Sequence, residues 1–386
     1  FAIVNIKFQK MCPHSSPSER GWKRLYGLDH LRTLAILFVF LYHYSHLFPH
    51  PGWTSPIGKF GWTGVDLFFV LSGYLISSQL FEMIKAGRKI SFPVFFIKRF
   101  FRIIPAYLFV LAIYFCIPYA REWEALAPIW KYISFTQNLG LDLRTQRTFS
   151  HAWSLCIEEQ FYLALPITLI GLVYFKTIKK AFLLLIALFI FGFMIRFYSY
   201  NHLVEPFIDT DGGWSYWYTW IYYPTYCRLD GLLTGVSIAA LFVFRPLIKE
   251  RICQFGNWLL LLSVIVLTGA YFLCMEETSF EASVFGFPLV SFGYGFMLMG
   301  AVSPKSIFYK FNSKTTTILA TLSYPIYLTH KIVIHITQDQ FSKTGIDVNG
   351  NLMFLICIIT CFIAAWMLNR LIEKPFLRLR DKLLRN

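Results

Sequence analysis

Six residues of the 386-residue chain combine reactive side chains with stretches that lipid would otherwise fill: His43, Asp66, Glu158, Arg228, Asp230 and His330. A charged group well inside a membrane span costs several kcal/mol unless it faces a polar interior, so such positions are the first place to look for chemistry. A neutral imidazole near pH 7 can take the proton of a hydroxyl, and an acid on its other ring nitrogen can fix the tautomer and steady the imidazolium. His43 is the expected base. Glu158 and Asp66 are both candidates for the acid beside it. Ser154 precedes Glu158 by four residues, which stacks the two on one helix face. Ser154, Arg228 and His330 are candidate donors to an oxyanion, and Asp230 joins Arg228 as a candidate substrate contact. Arg228 and Asp230 also fit a structural role, since charges at i and i+2 point apart and each must find another partner.

Depth ties these residues together. Arg32 and His43 are 11 residues apart, about 20° beyond three full turns, so both project from one helix face about 16 Å apart along the axis. His43 lies six residues before Pro49 and Glu158 seven after His151, which puts them at matching depths on separate spans. Asp66, Arg228, Asp230 and His330 fall near the same level. Five spans thus contribute to one expected polar cavity. At the opposite side Arg99 and Arg102, in KRFFR, stand just before a span. They fit either interfacial anchors or, with Arg32, a clamp for phosphates.

The elements that must hold these groups are helices. Hydrophobic residues make up 56% of the chain and charged ones 15%, against roughly 25% charged in a soluble domain, which excludes an ordinary cytosolic enzyme. Apolar segments near 29–48, 61–83, 103–120, 152–175, 181–199, 226–244, 257–274, 283–301, 317–338 and 351–371 predict an all-α polytopic membrane protein of about ten spans. With the N-terminus inside, 26 Lys and Arg fall in cytoplasmic stretches and six in outer loops, so both termini are expected on the cytoplasmic side. The basic excess, +15 overall, is accounted for by that face, and nucleic acid is not an expected partner. No signal peptide is expected from FAIVNIKFQK, and Met11 is a possible start. The domain reading is a mobile cytoplasmic tail over 1–24, a transmembrane domain over 25–375 and a basic cytoplasmic tail over 376–386. The eight cysteines show no metal-ligand spacing, and neither a metal nor a disulfide framework is expected.

LDHLRTLAILFVFLYHY, GWTGVDLFFVLSGYLI, KRFFR, WSLCIEEQFYL, YCRLDGLLTG, SYPIYLTH and LIEKPF, in this order over about 350 residues, resemble the acyltransferase 3 family of integral-membrane O-acyltransferases. The Arg32-to-His43 spacing, the Arg-x-x-Arg of Arg99 and Arg102, and the Ser-x-x-x-Glu of Ser154 and Glu158 carry the resemblance. It implies an acetyl or other short acyl group passed from cytoplasmic acetyl-CoA or a related acyl-CoA to a hydroxyl of an envelope polysaccharide or lipid-linked sugar. The bilayer expected is the bacterial cytoplasmic membrane. Arg32, Arg99 and Arg102 would meet the coenzyme. The fused esterase-like domain of some members is not expected here. Direct attack of the acceptor on the thioester is the preferred route, with an acyl-enzyme on Ser154 or His43 as the alternative.

From a different class, a proton-coupled transporter of an anionic solute would also use intramembrane histidines and carboxylates. The absence of an internal two-fold repeat in the sequence speaks against it. A purely structural scaffold would leave the six polar positions without a reason.

Overall fold

A computed structural model describes residues 25–385 other than Glu124. The expected tail over 1–24, with its Lys7, Lys10, Arg20, Lys23 and Arg24, lies outside the described residues. Twelve helices of eight residues or more carry the fold, with no strand among the described residues. They are α1 (Tyr26–Leu47), α2 (Gly64–Lys85), α3 (Phe92–Cys116), α4 (Trp153–Tyr174), α5 (Ala181–Ser199), α6 (Asp230–Phe244), α7 (Pro246–Gln254), α8 (Gly256–Leu273), α9 (Phe287–Ala301), α10 (Lys314–Ser342), α11 (Asn351–Leu368) and α12 (Lys374–Leu383).

Each of the ten expected segments coincides with a helix, but fewer are plain membrane spans. Six helical stretches among the described residues are long and apolar enough to cross a bilayer, or seven if α6 and α7, bent by 110°, count as one. Three long helices fall outside that set. Helices α1, α3 and α10 are long enough, at 22, 25 and 29 residues. They carry Asp29 and Arg32, Lys98, Arg99 and Arg102, and Lys314, Lys331 and Asp339 respectively. The three helices outside that set are among those that carry much of the polar chemistry.

Burial separates a centre from a rim. In the most apolar part of the stretch containing α2, 78% of the residues are buried, against 11% in that containing α5. On α5, Ile186, Ile190 and Met194 are exposed, as lipid-facing side chains should be. Backbone contact holds the centre together. A Cβ on Gly73 of α2 would stand 2.2 Å from the Leu232 carbonyl oxygen of α6, and one on Gly235 would stand 2.3 Å from that of Val70. Only glycine permits helices to approach so closely.

Helices α1 and α10 run side by side in the same direction. Thr33 Oγ1 donates to the Thr316 carbonyl at 3.0 Å near their beginnings, and Gln338 Nε2 donates to the Pro49 carbonyl at 2.8 Å near their ends. Between these fastenings the two helices bring His43 opposite His330. The connection from α3 to α4 is folded down over that end of the bundle. Tyr132 Oη donates to the Thr148 carbonyl at 3.2 Å, and Asn138 Nδ2 donates to the Tyr223 carbonyl at 3.1 Å.

Candidate active site

The site begins with a tautomer. His330 Nδ1 lies 3.0 and 2.9 Å from the carbonyl oxygens of Ile326 and Tyr327 on its own helix. A carbonyl only accepts, so Nδ1 carries the proton and Nε2 of the neutral ring accepts. His43 Nδ1 stands 2.9 Å from that Nε2 and therefore donates to it. The proton of a neutral His43 is committed to Nδ1, and its Nε2 holds a lone pair. His43 lines a cavity of about 260 Å³ walled chiefly by aromatic side chains, among them Trp62, Trp153, Tyr218 and Tyr222.

His151 completes a cluster of three imidazoles. Its ring centroid is 5.9 Å from that of His43 and 5.1 Å from that of His330. It lines the same cavity, and its two buried ring nitrogens have no side-chain hydrogen-bond partner among the described residues, the Leu328 backbone being the polar group beside them. Phe149, two residues before it, has φ of 54°, left-handed backbone that costs a non-glycine residue about 1–3 kcal/mol. Its fully buried ring, packed near Tyr107, Tyr114 and Tyr132, holds that conformation. Among the described residues no group of three His, Cys, Asp or Glu side chains has the arrangement of a metal site.

The expected acid partners stand elsewhere. Asp66 is engaged by Arg228, whose Nη2 is 3.0 Å from both carboxylate oxygens. Glu158 Oε2 accepts from Tyr162 Oη at 2.8 Å. The hydrogen bond at His43 Nδ1 is thus made by an imidazole in place of the carboxylate that depth alone suggested. Ser154 is tied to the cluster indirectly. Its Oγ is 2.6 Å from Tyr327 Oη, which donates to the His151 carbonyl.

Arg228 and Asp230 sit behind the cavity wall. The Arg228 guanidinium lies 3.9 Å from the Phe287 ring centroid and 4.8 Å from that of Tyr222, and it precedes helix α6 where a helical position was expected. Asp230 is held by Arg196 at 2.6 Å. Each charge in this apolar setting has found an opposite one, and neither residue lines the cavity.

On the opposite side of Glu158, a run of polar contacts leads to the arginines. The Arg99 guanidinium lies 4.8 Å from the centre of the Tyr162 ring. Arg102 is 3.7 Å from Glu373, and Arg32 is 3.2 Å from Asp29. All three arginines are buried. Nη2 of Arg99 and both Nε and Nη2 of Arg102 have no hydrogen-bond partner among the described residues, so donors remain for an anionic group.

A family model described as "Acyltransferase domain" matches residues 25–370. The chain belongs to the acyltransferase 3 family. It is 31% identical over 371 residues to the O-acetyltransferase OatA of Staphylococcus aureus (strain NCTC 8325 / PS 47), covering 90% of this chain and 56% of that protein. A putative O-acetyltransferase of Staphylococcus aureus (strain COL) is 30% identical over 378 residues, covering 91% of this chain and 57% of its own length. The chain therefore spans little more than half the length of these relatives. No solved structure matches it. The family match encloses every expected site residue and also His151, Arg196 and the buried pair Lys331 and Glu122, 2.6 Å apart, which sequence reasoning did not assign. The signal for the cations was present: Arg196 and Lys331 lie within predicted spans, far from any basic loop.

Proposed function

We propose that this multi-pass membrane protein is an O-acetyltransferase of the bacterial cytoplasmic membrane. It takes an acetyl or other short acyl group from acyl-CoA and delivers it to a hydroxyl of an envelope glycan or lipid-linked sugar. Both termini and the arginine-bearing side face the cytoplasm, and the histidine cavity faces outward. The O-acetyltransferases named above, similar over nine tenths of this chain, support the reaction class. The single observation that carries the chemistry is the 2.9 Å bond from His43 Nδ1 to His330, which leaves the His43 Nε2 lone pair available in the cavity.

In this reading the acyl-CoA phosphates meet Arg99, Arg102 and Arg32, and the pantetheine arm runs past Glu158 and Ser154 toward the cavity. The acceptor hydroxyl attacks the thioester carbonyl while His43 Nε2 takes its proton. Collapse of the tetrahedral intermediate breaks the carbon–sulfur bond, and the proton returns from His43 to the departing thiolate. His330 accepts the hydrogen bond from His43 throughout, and that bond strengthens when the ring is charged. His151, whose ring has no side-chain partner among the described residues, is the proposed donor to the oxyanion, a contribution of about 3 kcal/mol for a well-aimed group. The Asp66–Arg228 and Asp230–Arg196 pairs hold helices in place and touch no substrate.

Purified protein in liposomes, supplied with labelled acetyl-CoA and a glycan acceptor, should transfer label to the glycan. His43→Ala should lower the rate by about 10²–10⁴ while the protein still elutes as a folded species in detergent. A wild-type rate from His43→Ala would remove the base from the mechanism. Failure of the wild type to use any acyl-CoA would remove the donor.

A further inference from the structure

The histidine cavity does not end at its aromatic walls. Leu143, Arg147 and Trp214 line it and also line a second cleft of about 880 Å³, built mostly from the connection between α3 and α4. That volume falls within the range of about 300–1,000 Å³ typical of ligand sites. Its remaining walls include Arg121, Glu122, Trp123 and Arg144.

The charges of this cleft are unequally committed. Glu122 is held by Lys331 at 2.6 Å. Arg144 is paired with Asp142 at 3.2 Å. Arg121 donates to the carbonyls of Tyr114 and Phe115 at 2.7 and 3.1 Å, closing the end of α3. Arg147 differs. Its guanidinium lies 4.1 Å from the Trp123 ring centroid, and among the described residues it has no carboxylate partner. Stacking fixes the plane of the guanidinium at small entropic cost while leaving its N–H groups at the edge. The result is an oriented cation with open donors at the junction of the two cavities, between two exposed indoles, Trp123 and Trp214.

Resting on the O-acyl transfer reading above, we propose that the cleft is a second subsite for the acceptor and that Arg147 there binds an anionic group, a carboxylate or a phosphate, next to the sugar whose hydroxyl enters the histidine cavity. A planar guanidinium suits both anions because each offers two oxygens in the geometry of its paired N–H groups. The indoles supply apolar faces for the adjoining sugar rings. The acceptor is then an acidic saccharide or a diphosphate-linked one, and a neutral glycan is a poor substrate.

Three acceptors of equal length separate these outcomes in liposomes containing the whole chain: a neutral oligosaccharide, the same with a uronic acid, and the same with a diphosphate at its reducing end. The wild type should show a KM about tenfold or more lower for at least one charged acceptor, with similar kcat for all three. The acceptor with the lower KM identifies the anion. Arg147→Gln should raise that KM to the neutral value without changing kcat, and Arg147→Lys should recover part of the difference. Equal KM values for the three acceptors in the wild type would overturn the subsite while leaving acyl transfer intact. Arg147→Gln lowering kcat for the neutral acceptor as strongly as for the charged ones would overturn it too, by marking a structural role. No transfer to any acceptor would overturn the acyl transfer reading, and the subsite with it.

Discussion

Two groups of polar side chains occupy this membrane domain, and they solve the problem of lipid in opposite ways. Behind the aromatic wall, Asp66 with Arg228 and Asp230 with Arg196 bury full charges in closed pairs at 3.0 and 2.6 Å. Within the cavity, His43 and His151, with His330 behind His43, can stay neutral and need no counter-ion, so a ring nitrogen of His43 stays free of the His330 bond. Charge that must be neutralised is unavailable for substrate, whereas an imidazole can wait without a partner and acquire charge only during the reaction. The contrast teaches that an ionisable residue at the right depth is not thereby catalytic.

Removing one member of a closed pair should have the largest effect on the fold. Asp66→Ala leaves Arg228 buried without its carboxylate and should destabilise the protein by about 3–5 kcal/mol, read as thermal unfolding in detergent. Replacing both, as Asp66→Leu with Arg228→Met, should recover most of that loss. If the double replacement instead abolishes transfer in a stably folded protein, the pair belongs with the chemistry and the division between the two groups fails.

The next effect should fall on rate alone. His330→Phe removes the acceptor that commits the His43 proton to Nδ1, and transfer should drop by about a hundredfold, or roughly 2.7 kcal/mol of barrier, with unfolding temperature nearly unchanged. His330→Gln, which keeps an acceptor, should be intermediate. Smaller again, Arg99→Gln should raise the KM for acyl-CoA about tenfold and leave kcat alone. His46 lines the cavity rim but is exposed, and its Nδ1 lies 2.9 Å from the Tyr42 carbonyl. His46→Ala should change rate by less than about twofold, because its Nδ1 is taken up by the Tyr42 carbonyl and Ser45 Oγ and not by the His43–His330 bond.

Much of this was legible in the residues. Helix periodicity placed His43 and Arg32 on one face, and distance from the chain turns put His330 at the level of His43. Those are properties along an axis, which one-dimensional spacing can measure. Lateral arrangement is different. Whether Asp66 turns toward His43 or toward Arg228 depends on how α2 packs against α6, and that is decided by Gly73, Gly231 and Gly235 pressing backbones together. Likewise Glu122, outside any predicted span, reaches Lys331 only because the connection before α4 folds down upon the bundle.

The glycines of the α2–α6 contact carry a lesson for anyone who surveys this chain by substitution. A methyl group at Gly73 or Gly235 would meet a neighbouring main-chain oxygen inside 2.5 Å, and a main chain cannot swing aside as a flexible side chain does. These positions should tolerate replacement as poorly as the histidines do. A map of intolerance would therefore highlight two kinds of residue alike, and only assays that separate protein yield from turnover would tell spacing from chemistry.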